Sequence, residues 1–210
     1  MPDYYVGLMS GTSMDGIDAV VVEFGDSSVR VHAALSLPYP DELRESLLAA
    51  IREPLDVELD SSGELDRRVG ECFRDAAIAV IGEGGLRSED VIAIGSHGQT
   101  LRHQPNVAKP FSLQIGNASI IAGGTGTTTV SNFREADIAA GGQGAPLVPP
   151  FHQWLFAQES KARVIANIGG IANITILAAD SADTAGFDTG PGNGLMDAWT
   201  RSQLNLAFDE

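Results

Sequence analysis

The chain has a single cysteine, Cys72, so no disulfide can form within it and nothing in its composition asks for an oxidising compartment. That thiol is expected to be buried and inert. Basic residues are scarce: 13 Lys and Arg stand against 28 Asp and Glu, a net charge of −15. Without a basic footprint, neither nucleic acid nor an anionic membrane is expected as a partner. No apolar run reaches the roughly 18 residues of a membrane span, and no charged-then-apolar leader opens the chain, so a cytoplasmic protein is expected. The familiar nucleotide fingerprints are missing too. There is no GxxxxGK[ST] phosphate loop and no GxGxxG turn, and no cysteine–histidine spacing suits zinc. What remains is ordinary globular composition, 43% hydrophobic and 20% charged over 210 residues, enough for one good core or slightly more.

The most informative stretch is YYVGLMSGTSMDGIDAVVVEF, Tyr4–Phe24. Two apolar runs of strand length, Tyr4–Met9 and Ile17–Phe24, flank a polar loop, Ser10–Gly16, which predicts a β-hairpin. A plain hairpin needs one or two turn residues. This tip holds Ser10, Thr12, Ser13 and Asp15 between glycines, so its amides and hydroxyls suit a phosphate chain. In so acidic a chain an anion has to be held by backbone amides and a metal ion rather than by lysines.

A third strand is expected over Val29–Ser36 and a short helix over Asp41–Ile51, with Pro54 closing that region. Ser61 and Glu64 have capping-box spacing before an amphipathic helix that runs to about Ile81 and stops at Gly82–Gly85. Val91–Ile94 reads as a short buried strand passing into a loop, GSHGQTLRHQP, where His97, Gln99 and Thr100 are placed to bond a polar small molecule. A strand at Phe111–Ile115, a short helix capped by Asn117 and a β-rich run at Thr127–Ser131 follow. NFREAD offers Arg134 and Asp137, either an internal ion pair or an arginine reading a carboxylate. AGGQGAPLVP puts Gln143 and Gly144 among glycines that allow close backbone approach, or form a flexible loop. A helix is expected from Pro149 to Gln158. The opening pattern then returns as RVIANIGGIANITIL, Arg163–Leu177, followed by TAGFDTGPGNG and a helix from Leu195 to about Leu206. Two such hairpins suggest an internal duplication in an α/β protein.

GTSM, HG and DTG echo serine-protease fragments, but Ser13, His97 and Asp188 come in the reverse of the subtilisin order, and Ser13 sits on a hairpin tip. Six longer segments, GLMSGTSMDGIDAVVVEF, GSHGQTLRHQP, LQIGN, NFREADIAAGGQGAPLVP, NIGGIANIT and GFDTGPGNGLMDAW, together resemble the anhydro-N-acetylmuramic acid kinases, relatives of the acetate and sugar kinases, Hsp70 and actin. The resemblance implies a ribonuclease-H-like (actin-like ATPase) N-terminal half over 1–148 and the beginning of a second such half over 149–210. ATP with Mg²⁺ would lie in the cleft between halves. It also implies opening of 1,6-anhydro-N-acetylmuramate with phosphorylation of O6, a step in peptidoglycan recycling.

Carried onto this chain, the first phosphate loop is Gly11, Thr12, Ser13, Met14, Asp15, Gly16, Ile17 and Asp18, and the second includes Asn167, Gly169 and Gly170. Asp188 matches the catalytic aspartate, and His97, Gln99, Arg134, Gln143 and Gly144 fall where the family binds sugar; the metal ligands are left open, with Asp15 a candidate to hold Mg²⁺ through water. A homodimer is allowed. Family members continue well past the helix after the Asp188 loop, so the later adenosine-holding and sugar-contacting segments have no counterpart here. An open sheet edge and an uncovered apolar face are therefore expected in the second half. A fragment, a degenerate form and a form completed by a partner all remain open. So do a non-catalytic sugar-binding module and an ordinary sugar hydroxyl kinase.

Overall fold

Alternating apolar residues pair β1 (Tyr4–Ser10) and β2 (Gly16–Phe24) as the expected antiparallel hairpin in the computed structural model, which describes residues 3–52, 58–158, 160–179 and 184–206. Pro54, expected to close the region of the first helix, lies outside the described residues. The tight turn is possible because residue 16 has no side chain: a Cβ on Gly16 would collide with the Leu37 carbonyl of β3 (Val29–Pro38). Next come α1 (Asp41–Arg52) and the long α2 (Leu59–Glu83). The capping box expected at Ser61 is not formed. The helix starts earlier, at an N-cap Glu58 without a side-chain cap, and Ser62 donates its hydroxyl back to the Glu58 carbonyl.

A larger correction concerns the segment after Val91. The expected short strand and loop are one strand of 14 residues, β4 (Val91–Gln104). It runs parallel to β1 from Tyr4↔Val91 to Ser10↔Gln99, then antiparallel to β5 (Phe111–Ile115) from Gln99↔Ile115 to Gln104↔Phe111. Its polar side chains hide a backbone that is paired on one side and then on the other. Gly98, at φ 72°, makes the bend, and a Cβ there would press on the Ile115 carbonyl. Then come α3 (Ala118–Thr125), capped by the expected Asn117 side chain, and β6 (Thr129–Val130), shorter than the β-rich run suggested. NFREAD winds into α4 (Phe133–Ala139).

The chain falls into two compact units, Met1–Gly142 and Gln143–Glu210. In the first, the strand order is β3-β2-β1-β4-β5, with β6 parallel to β4. Three antiparallel strands, then β4 parallel to β1 and β6 parallel to β4, with β5 antiparallel on the far end of β4, form the expected ribonuclease-H-like sheet. α2 packs across it through Leu65, Val69, Phe73, Ala77 and Val80, all buried. Cys72, on the same helix, is half-buried rather than buried, and burial raises its thiol pKa, which disfavours the thiolate.

The second unit has α5 (Pro149–Phe156), then an antiparallel meander of β7 (Arg163–Ile168), β8 (Ile171–Leu177) and β9 (Thr184–Pro191), then α6 (Asn193–Leu204). It repeats the first three strands of the ribonuclease-H-like order. Large apolar side chains, among them Ile168, Phe187, Leu195, Met196 and Trp199, are exposed on this unit.

Phe73 is fully buried at the centre of the first core. Phe73→Ala is expected to lower the unfolding free energy by about 3–5 kcal/mol, read from urea denaturation.

Candidate functional site

The β1–β2 turn is held from beneath by a buried side-chain junction. The Ser10 hydroxyl lies 2.7 Å from the Gly16 carbonyl and 2.7 Å from Gln99 Oε1, and Gln99 Nε2 donates to the Gly11 carbonyl at 3.2 Å. Ser10 and Gln99 are both buried. Met14, at φ 50°, closes the turn through its N–H to the Gly11 carbonyl, and Arg44 Nε caps the Met14 carbonyl at 2.9 Å. Met14 and Ile17 bury their side chains in the core. Thr12, Ser13, Asp15 and Asp18 are exposed. Among the described residues no group of three or more His, Cys, Asp or Glu side chains could hold a metal ion. Asp15 Oδ1 accepts the Ser13 hydroxyl at 2.8 Å.

Gln99 therefore sits under the turn, its carboxamide committed to Ser10 and Gly11. His97 and Arg134 are brought together: Arg134 Nε donates to His97 Nε2 at 2.8 Å, and His97 Nδ1 faces the Gly98 carbonyl at 2.9 Å. Nδ1 thus carries the proton and Nε2 is the acceptor, a neutral tautomer set by both neighbours. Burial first, and then the Arg134 charge, lowers the His97 pKa from 6.5, against the Gly98 carbonyl, which raises it.

His97 lines a cavity of about 550 Å³ within the first unit, with Asp66, Ser96, Gln114 and Glu135 among its walls. Sequence reasoning missed these four. Asp66 takes the Gly116 N–H and the Asn117 amide, each at 2.9 Å, and Glu135 takes the Ser112 N–H. Ser96 and Gln114 stand in β4 and β5, where strand alternation through a polar run was the only available signal.

Gln143 and Gly144 belong to the second unit, which also holds Asn167, Gly169, Gly170 and Asp188. Gly169 and Gly170 form the two-residue turn between β7 and β8. Their carbonyls accept the N–H groups of Asn193 and Gly192 at 2.9 and 3.0 Å, so the turn is pinned to the start of α6. A Cβ on Gly192 would overlap the Gly169 carbonyl. Asp188 is exposed on β9 opposite Asn173 of β8. The side-chain oxygens of Asn173 and Asn193 are buried and have no hydrogen-bond partner among the described residues. Neither asparagine was singled out from sequence, although both lie inside the quoted motifs.

The sequence model of the anhydro-N-acetylmuramic acid kinase family matches residues 3–210. The chain belongs to that family. The kinase of Shewanella denitrificans is 49% identical over 209 residues, covering 100% of this chain and 56% of that protein. The kinase of Shewanella halifaxensis is 50% identical over 211 residues, with 99% of this chain and 56% of that protein covered. The chain thus spans little more than half the length of these curated relatives. A ROK hexokinase from Thermus thermophilus overlaps at a TM-score of 0.38 and 18% identity, over 84% of this chain and 47% of its own, too loosely to bear on the comparison.

Gln99→Leu strips partners from the buried Ser10 hydroxyl and Gly11 carbonyl. It is expected to cost about 1–3 kcal/mol and to speed amide exchange across residues 11–16. His97 and His152 both have pKa values lowered by burial, so the unfolded chain binds more protons. Stability is therefore full above pH 6.5 and falls as the pH drops from there through the lower folded values. Urea unfolding between pH 8 and pH 5 checks this: His97→Gln removes one part of the loss and leaves the part due to His152.

Proposed function

We propose that this chain carries the phosphate-turn, sugar-binding and catalytic residues of an anhydro-N-acetylmuramic acid kinase, the name its relatives bear, and that the reaction is ATP-dependent opening of 1,6-anhydro-N-acetylmuramate with phosphorylation of O6. The observation that carries this reading is the family match, which runs unbroken through both glycine turns and the Asp188 strand. In this reading the amides and hydroxyls of Gly11–Asp18 hold the β- and γ-phosphates, and Asn167–Gly170 supplies the second phosphate turn. Arg134, with Gln143 and Gly144, takes the sugar, and His97, its two ring nitrogens engaged by Gly98 and Arg134, orients that guanidinium. Gln99 contributes by fixing the first turn. Magnesium held at Asp15 through water would neutralise charge on the phosphates.

Asp188 accepts a proton from a water molecule whose oxygen attacks the anomeric carbon of the anhydrosugar. The C1–O6 bond breaks and the electron pair goes to O6, which attacks the γ-phosphorus in line. The bond to the bridging oxygen of the β-phosphate then breaks and ADP departs, while Asp188 returns its proton to solvent. A general base of this kind contributes about 10²–10⁴-fold, and alignment and phosphate-charge neutralisation supply much of the rest. Asp188 is exposed on β9, so its carboxylate is accessible to water, which supports that role.

One observation favours a second reading, a sugar-binding module without turnover: the large apolar side chains exposed on the second unit leave the cover of its sheet incomplete. Incubation with ATP, Mg²⁺ and the anhydrosugar in ¹⁸O-labelled water separates the readings. The kinase yields N-acetylmuramate 6-phosphate with one label at C1, and Asp188→Asn loses about 10²–10⁴ of the rate while keeping nucleotide affinity. Sugar binding without product selects the module. Unlabelled phosphorylation of N-acetylmuramate selects an ordinary hydroxyl kinase.

A further inference from the structure

Three carbonyls of the β1–β2 turn are tied down from three different elements. Gly11 accepts the Gln99 amide from β4, Gly16 faces the Ser10 hydroxyl of β1, and Met14 accepts Arg44 Nε from α1. The donors of the turn are left over: the N–H groups of Thr12, Ser13 and Asp15 have no hydrogen-bond partner among the described residues. Peptide geometry links the two facts. In a planar trans peptide the C=O and the following N–H point in opposite directions. Holding the Gly11 carbonyl therefore aims the Thr12 amide the other way, and holding the Met14 carbonyl aims the Asp15 amide. The hold on Met14 has the harder task. Met14 sits at φ 50°, a left-handed conformation that a side chain disfavours, with its own side chain sunk in the core. Flipping the Met14–Asp15 peptide would turn a carbonyl toward a bound anion and the N–H away from it. Arg44 blocks that flip from an anchored helix: Leu43 and Leu47 of α1 are buried, and the Arg44 N–H donates to the Pro40 carbonyl at 2.9 Å. Among the described residues the bond to Met14 is the guanidinium's one hydrogen bond, and no carboxylate pairs with it.

We infer that Arg44 is a positioning residue for phosphate binding: by capping the Met14 carbonyl it aims the Asp15 N–H at the phosphates. The inference rests on the proposed phosphate-turn reading and deepens it. The role belongs to the bond at Nε rather than to the positive charge. A neutral side chain that offers an N–H at the same reach from α1 therefore does the same work, and one that offers none does not.

Titration of the whole ¹⁵N-labelled chain with Mg²⁺–ATP, followed by amide NMR and by calorimetry, tests this with two variants. Arg44→Met keeps the apolar stem and loses the donor. Arg44→Gln puts an amide N–H as many bonds from Cα as Nε, without the charge. In the unaltered chain the Thr12 and Asp15 amides are expected to move downfield as phosphate binds. Arg44→Met is expected to weaken Mg²⁺–ATP by about tenfold, the loss of one hydrogen bond to a charged group. It is also expected to abolish the movement at Asp15 while Thr12, held through Gly11, still moves. Arg44→Gln is expected to restore both the affinity, to within about twofold, and the Asp15 movement. Equal loss in the two variants assigns the effect to charge, and unchanged binding in Arg44→Met leaves the cap without a role. Loss of movement at Thr12 together with Asp15 marks a collapsed turn. Any of these three overturns the positioning and leaves the phosphate turn standing. If Mg²⁺–ATP moves no amide of residues 11–16 in the unaltered chain, the phosphate turn falls with it.

Discussion

The carboxamide of Gln99 is the constraint on which the first unit's site geometry depends. It lies at the point where β4 leaves β1 and turns to β5, with Ser10↔Gln99 as the last parallel register pair and Gln99↔Ile115 at the start of the antiparallel one. From there it reaches under the β1–β2 turn to the Ser10 hydroxyl and the Gly11 carbonyl. Both ends of a buried amide are thereby satisfied, and a buried amide left half-paired would cost more than the pairing yields. The bond therefore does more than stabilise. It couples the position of the glycine turn to the bend at Gly98, and so to the cavity formed where β4 and β5 separate. A site on a turn is as precise as the element beneath it, and here that element is a central strand.

The strands were legible in the sequence where hydrophobic alternation was strong. β1, β2, β5, β7 and β8 follow from their apolar runs, and the Gly169–Gly170 turn from its two glycines. β4 was legible only in its first four residues. Beyond Ile94 its side chains are mostly polar, because that half serves a cavity and a hairpin rather than the core. Composition reads such a segment as a loop, while its backbone pairs with β1 and β5. For the same reason Gln99 read as a ligand-facing residue: a polar side chain in a polar run gives no sign of being buried. Ser96 and Gln114 escaped notice altogether, since what marks them is a missing partner, which depends on the fold around them. α4 escaped because NFREAD has no repeating apolar face.

The two units divide their roles unequally. The core of the first is closed: Val6, Ile17, Val69, Phe73, Ile94 and Ile121 belong to one buried cluster. In the second, Leu177 is the one large apolar side chain that is fully buried among the described residues, against exposed Ile168, Phe187, Met196 and Trp199. A three-stranded meander with so little buried apolar area is marginal on its own. Its local order comes from backbone bonding at the Gly169–Gly170 turn and from the contact of His152 Nδ1 with Thr175 Oγ1 at 2.9 Å. Rigidity near Asp188 is therefore a matter of hydrogen bonds more than of packing.

Charge supplies the last link. A chain at −15 repels any polyphosphate at long range, yet the proposed ligand is one. Beyond about 8–10 Å ordinary salt screens that repulsion, so the net charge works against encounter more than against the bound state. Within the turn the field is local and made of dipoles: the amides of residues 11–16, the hydroxyls of Thr12 and Ser13, and a metal ion carried on the phosphates. Such a turn needs no lysine. It needs a backbone that cannot relax away from the anion, and the buried Gln99–Ser10–Gly11 junction provides it. If the turn binds phosphate as proposed, acidity elsewhere on the surface is tolerable, because the local dipoles of a stiff turn act at contact distance while the net charge is screened.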